Sequence, residues 1–79
     1  MSESAQAELQ RVLSELREAI KRSGKRYREI EQVMGLSTGY LVHLLSGSRE
    51  MRVRQFIEVC EAIELSPATL FLQEANEGQ

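Results

Sequence analysis

Apolar residues recur at three- and four-residue spacing along most of the chain, the signature of amphipathic helices. Leu9, Val12, Leu13, Leu16, Ala19 and Ile20 make one stripe and predict a helix over 3–22. Ser2 or Ser4 is available as its cap, and Ser23-Gly24 ends it, with Lys21 and Arg22 favourably placed in the last turn. Tyr27, Ile30, Val33 and Met34 predict a second, shorter helix over 26–34, closed by Gly35. Ser37 is the next candidate N-cap, opening a helix through about Leu45 with Tyr40, Leu41 and Leu44 inward. Ser46-Gly47-Ser48 reads as a turn. Val53, Phe56, Ile57, Val59, Cys60 and Ile63 give a broad apolar face to a helix over 52–63. Ser66-Pro67 signals the start of a last helix, from Pro67 to about Gln73, carrying Leu70, Phe71 and Leu72. No alternating strand pattern occurs. The expectation is all-α: five short helices around one core at about 10–73, in a single domain over 1–79, with a flexible polar tail at 74–79.

Size limits the chemistry. With 79 residues and an apolar fraction of 42%, the chain supports one core but no deep, enclosed active site. Trp is missing and aromatics are few, so the core rests on Leu, Ile, Val and Met. No run of about 18 apolar residues exists, which excludes a membrane span. The start, MSESAQAELQ, lacks a basic region followed by an apolar stretch, and Cys60 has no partner for a disulfide, so a reducing cytoplasm is expected. The net charge of −2 argues against nucleic acid, but its distribution does not. Residues 17–54 carry nine basic side chains against four acidic ones, a balance of +5, while both ends are acidic. Such a chain can present one basic face and stay soluble, although ordinary solvated helix charges would give the same totals.

Two short helices joined by a turn containing glycine match the helix-turn-helix pattern. Geometry alone makes this a weak match. It gains specificity because Ile30, Met34, Gly35, Leu36, Ser37, Leu41, Leu44 and Gly47 agree together. Ile30 and Met34 would pack under the turn, Gly35 permits a left-handed backbone, Leu36 plugs the gap between helices, and Leu41 and Leu44 pin the second helix down. On these residues, and on the later run AIELSPATLF, the chain resembles the lambda-repressor/Cro-like (XRE) family from about Leu16 to Leu72. The resemblance implies a five-helix lambda-repressor-like domain with a helix-turn-helix, here with a first helix extended by roughly ten residues.

Departures from the family pattern are specific. Glu31 stands where a small residue is usual, and must tilt outward, find a basic partner or change the helix angle. Tyr27 stands where glutamine is common, and Glu64 where glycine is common. What the resemblance implies about contacts is carried over by position. Ser37, Thr38, Gly39, Val42 and His43 would face base edges, joined by Arg49 from the following loop. Arg26, Tyr27, Arg28, Ser46, Ser48 and Arg52 would meet phosphates, with Lys25 and Arg54 peripheral. This reading set is sparse and lacks the usual bidentate pairs, so DNA shape would share the work. For Tyr27, packing its ring competes with donating its hydroxyl, and for His43, a solvated surface role competes with a DNA contact.

The implied partner is double-stranded DNA. The implied role is a sequence-specific transcriptional regulator, a repressor acting as a homodimer on a short palindromic operator. Leu9, Val12, Leu13, Phe71 and Leu72 are the dimer candidates, because the first stripe extends beyond what a compact core of this type requires. The other reading of that extension is that it covers the domain's own surface. A different class of function remains open on the same fold: a protein-interaction module, antitoxin-like or an adaptor, with weak or no specific DNA binding. No catalytic arrangement, glycine-rich phosphate loop or metal motif is present, since one His and one Cys fall short of a ligand set. No cofactor, small-molecule ligand or membrane partner is expected, and Cys60 reads as core.

Overall fold

A computed structural model describes residues 3–70. Four helices account for most of them: α1 (Glu3–Ser23), α2 (Tyr27–Met34), α3 (Tyr40–Ser46) and α4 (Val53–Ala62). A fifth helical stretch opens at 68–70, where the described residues end. No strand occurs among the described residues, in keeping with the all-α expectation. None of the described helices is long and apolar enough to cross a membrane. The predicted remainder of the last helix, including Phe71 and Leu72, lies outside the described residues.

The stripe of α1 enters the core through Val12, Leu13, Leu16, Ala19 and Ile20. It packs on α3, and α2 packs on both α3 and α4. Leu16, Leu41, Leu44, Leu45, Val59 and Cys60 are fully buried at the centre. Burying each leucine contributes about 1.5–3 kcal/mol relative to leaving it exposed. Cys60 is a free thiol whose pKa is raised by desolvation, so it stays protonated and packs as a small apolar residue. One polar tie crosses the core edge. Arg17 Nη1 donates to the Leu45 carbonyl at 2.6 Å, near the C-terminal end of α3, where the helix dipole favours a cation.

Two helices end on the same device. After α2, Gly35 adopts φ 75° and donates to the Gln32 carbonyl (3.3 Å), while the Leu36 amide reaches the Glu31 carbonyl (2.8 Å). This is a Schellman closure, with partly buried Leu36 as its apolar contact. After α4 the same pair of bonds recurs, from Glu64 to the Glu61 carbonyl (3.1 Å) and from Leu65 to the Cys60 carbonyl (2.8 Å), with Leu65 partly buried. Here the left-handed position is Glu64, at φ 58°, rather than glycine.

Some apolar positions expected inside are outside. Val33 is 75% exposed and Val53 76%, and Ile57 is also exposed. The eight-residue α2 packs mainly on α3 and α4, and Val33 lies outside the contact. Val53 stands at the very first position of α4, past the edge of the core.

Candidate nucleic-acid interface

The geometry of the α2–α3 pair turns on Glu31. It is 3% exposed, the sole buried charged residue among those described. Neither an outward tilt nor a basic partner accommodates it. Its Oε2 accepts the Gly39 amide at 2.9 Å and the Leu41 amide at 3.0 Å. The first amides of a helix have no partner within the helix, and the dipole there favours a negative group. The carboxylate of α2 therefore caps α3 from across the turn, and fixes the two helices to one another.

This displaces the expected start of α3. Ser37 is not the N-cap; its carbonyl accepts the Tyr40 amide at 3.1 Å. The N-cap position is Gly39, at φ 89° and ψ −5°, with no side-chain cap. A left-handed backbone of that kind is natural only to glycine. Nothing lies within 4 Å of where a Cβ would stand, so conformation rather than crowding selects glycine at this position. Ser37, Thr38 and Gly39 are exposed in the turn, not on the helix. The helix itself presents Val42, 49% exposed, and His43 outward, while Leu41, Leu44 and Leu45 are buried. Of the base-reading set, Val42 and His43 stand on α3, and Thr38 and Arg49 flank it.

The end of α3 is closed by its own side chains. The His43 carbonyl accepts the Arg49 amide at 3.1 Å, the Ser46 hydroxyl at 3.2 Å and the Ser48 hydroxyl at 3.3 Å. Ser46 Oγ also lies 3.2 Å from Ser48 Oγ, and His43 Nδ1 lies 3.3 Å from Ser48 Oγ. A hydroxyl has one hydrogen to donate. Ser46 and Ser48, expected at phosphates, bond within the loop that carries Arg49 and remain exposed.

Exposed cationic side chains precede and follow α3 along the chain. Arg26 and Arg28 are exposed at the start of α2, and Arg49 and Arg52 are exposed between α3 and α4. Arg26 and Arg52 occupy equivalent places, each the extended N-cap residue of its helix. The Arg26 amide donates to Glu29 Oε1 at 2.8 Å, and the Arg52 amide to Gln55 Oε1 at 2.9 Å. An arginine side chain has no acceptor, so only this half of a capping box exists at each, and both guanidinium groups are left to project. Tyr27 is half-buried and packs its ring against the core, which favours the packing role.

A polar recess of about 480 Å³ gathers Arg49, Arg52 and Arg54 with Tyr40, Glu50 and Gln55. Arg54 there is also paired with Glu58 at 3.7 Å. The sequence pattern marks Tyr40 only as an inward residue and does not single out Gln55. Their shared feature is a place beside the loop between α3 and α4, which helical spacing does not reveal. Val12 and Leu13, expected at a dimer face, are instead 9% and 2% exposed within the chain's own core. Both also line an apolar groove between α1 and α4, so only their outer edges reach the surface. Leu9, one turn earlier, is 46% exposed. No group of His, Cys, Asp and Glu among the described residues is placed to hold a metal ion. Comparison with family models, with characterised proteins and with solved structures finds no match to this chain.

Proposed function

We propose that α2, the 35–39 turn and α3 form a helix-turn-helix of the lambda-repressor/Cro-like kind, and that the protein is a sequence-specific regulator of transcription on double-stranded DNA. It acts as a repressor, two copies to a short palindromic site. The observation that carries this reading is the exposed surface of α3. It holds no acidic residue, and exposed arginines stand at both of its approaches, Arg26 and Arg28 before it and Arg49 and Arg52 after it. The Glu31 cap supports it further, because a recognition helix must be held rigidly against its supporting helix. In this reading Val42 meets a thymine methyl, and His43 and Arg49 donate to base edges, with Thr38 at the rim. The arginines set register on phosphates.

The test is selection of bound duplexes from a random pool at two salt concentrations. Enrichment of a two-fold sequence is expected. Arg28→Ala and Arg52→Ala should weaken binding to all sequences and lower the salt slope by about one unit for each phosphate no longer neutralised. His43→Ala should instead change the preference among sequences. A pool that remains random at both salts would remove the reading. It would leave a protein-interaction module on the same helices, which the small base-reading set favours.

A further inference from the structure

The helix that reads DNA in the proposed function, α3, is seven residues long. A helix that short does not hold its own shape in water, so its geometry is imposed by its surroundings. Glu31 of α2 fastens its start. Its end is fastened from α1, where Arg17 donates through Nη1 to the Leu45 carbonyl at 2.6 Å, across 28 residues of chain. We infer that Arg17 is a positioning residue for DNA recognition: it fixes where α3 ends, and so where the loop carrying Arg49 begins. Its part in recognition rests on the DNA-binding reading; its hold on the loop does not.

Three observations lead there. The first is the acceptor. The last carbonyls of an α-helix have no partner within it, and Leu45 is the next-to-last residue of α3. Leu45 is fully buried, so water cannot take the place of the guanidinium. A buried carbonyl left without a donor is costly, and Arg17 is the donor this one has.

The second is the face of α1. Gln10, Leu13 and Arg17 follow at spacings of three and four residues, so they stand on one side of the helix. Gln10 Nε2 and Leu13 Cδ1 lie 3.0 and 3.6 Å from where a Cβ would stand on Gly47. The side of α1 that holds the end of α3 therefore also meets the left-handed turn that follows it.

The third is the route to Arg49. Two residues beyond Gly47, the Arg49 amide donates back to the His43 carbonyl at 3.1 Å. The Leu45 carbonyl, the Gly47 turn and the Arg49 amide thus connect Arg17 to both donors proposed for base edges, His43 and Arg49. Arg17 is half-buried and bonded within the chain, so it acts through this loop and not on a phosphate.

Arg17→Met keeps the apolar stem and removes the donor, and Arg17→Lys restores a donor and the charge. Amide hydrogen exchange of each full chain, without DNA, tests the loop by itself. In Arg17→Met, protection at the Arg49 amide should fall about tenfold more than the global loss, as removal of one charge-assisted hydrogen bond from a local opening implies. The Leu41 amide, held by Glu31 at the other end of α3, should follow the global change alone. On the duplex enriched by selection, Arg17→Met should cut the ratio of specific to non-specific affinity about fivefold, the low end of what one base contact contributes. The salt slope should stay where it is, because no phosphate contact is lost. Arg17→Lys should recover most of both effects. An arginine that only stabilised the fold would lower the urea midpoint and move neither the ratio nor the difference between Arg49 and Leu41. In the unaltered protein, nuclear Overhauser contacts from the Arg17 guanidinium to the end of α3 should be present whatever the variants do.

Protection at Arg49 that falls no further than at Leu41 overturns the inference. So does a ratio that stays at the parent's value in a folded Arg17→Met, or a guanidinium that rotates freely in the unaltered chain. A salt slope lowered by about one unit overturns it as well, by making Arg17 a phosphate contact. A chain that prefers no duplex sequence refutes the DNA-binding reading and Arg17's part in it, and the exchange comparison then decides the hold on the loop by itself.

Discussion

Replacing Glu31 with alanine removes the acceptor of two amide hydrogens, and the two losses are unequal. Gly39 is exposed, so water replaces the carboxylate at its N–H and the loss there is small. Leu41 is fully buried, and its N–H has nowhere else to turn while α3 keeps its place. A hydrogen bond to a charged group contributes about 1.5–3 kcal/mol, and a buried donor left unsatisfied costs about 1–3 kcal/mol. Removing the carboxylate also removes the penalty of burying it, which offsets part of this. The net expectation is a destabilisation of about 2–3 kcal/mol for Glu31→Ala. Glu31→Gln keeps an acceptor oxygen without the charge, and should lose about 1 kcal/mol. Urea unfolding followed by far-ultraviolet circular dichroism measures both, as a fall in midpoint at constant slope. For a chain of this size about 2–3 kcal/mol corresponds to a drop in melting temperature on the order of 10–20 °C. Hydrogen exchange gives the site-resolved check: protection at the Leu41 amide should fall by more than the global loss in the alanine variant. An alanine variant within about 0.5 kcal/mol of the parent, below the range for any buried hydrogen-bonded group, would refute the capping role.

Other consequences follow from backbone conformation. Glu64 occupies a left-handed position that disfavours a side chain, so Glu64→Gly should stabilise the protein by about 0.5–1 kcal/mol despite glycine's entropy cost, read as a higher urea midpoint. Gly39→Ala should lose about 1 kcal/mol, because φ 89° is strained for alanine even though no atom lies in its way. In the same DNA-binding series, Gly39→Ala should lower affinity with the salt slope unchanged, since it removes no phosphate contact.

Helix number, order and most boundaries are legible in the sequence because they follow from local spacing. The turn glycine at 35 and the departure at Glu64 are likewise local signals, and both fall at left-handed positions. The start of α3 is not legible in this way. Ser37 satisfies the local rule for an N-cap, yet a carboxylate eight residues before Gly39 in sequence holds the helix start instead. That contact exists only once α2 and α3 are packed. Glu31 itself reads as a misfit in sequence, since burial of a carboxylate is unfavourable until two helix amides are placed against it. The stripe of α1 shows a similar limit. Spacing marks Leu9, Val12 and Leu13 alike, but only the positions of α3 and α4 decide that the last two are covered and the first is not. The hydroxyls of Ser46 and Ser48 stand within reach of the His43 carbonyl through the left-handed turn at Gly47, which a serine pattern alone does not fix.

The later start of α3 bears on how the proposed DNA recognition would have to work. With Thr38 and Gly39 in the turn, the helix offers Val42 and His43 to the groove, and the loop adds Arg49. Discrimination at each well-read base pair is worth about 1–3 kcal/mol. Neither Val42 nor His43 can make a bidentate pair, so two or three positions at the low end of that figure, about 2–3 kcal/mol per half-site, fall short of the roughly 4–10 kcal/mol that separates specific from non-specific binding. Two half-sites read together enter that range, because the base contacts are duplicated while the copies are held in register. A monomeric regulator equipped in this way would bind through its arginines and choose poorly among sequences. On the proposed reading, specific recognition by this α3 would call for a paired copy on DNA. On DNA with one half-site, affinity should depend steeply on salt and weakly on sequence. On two half-sites the sequence preference should rise sharply. A strong sequence preference on one half-site would contradict this account.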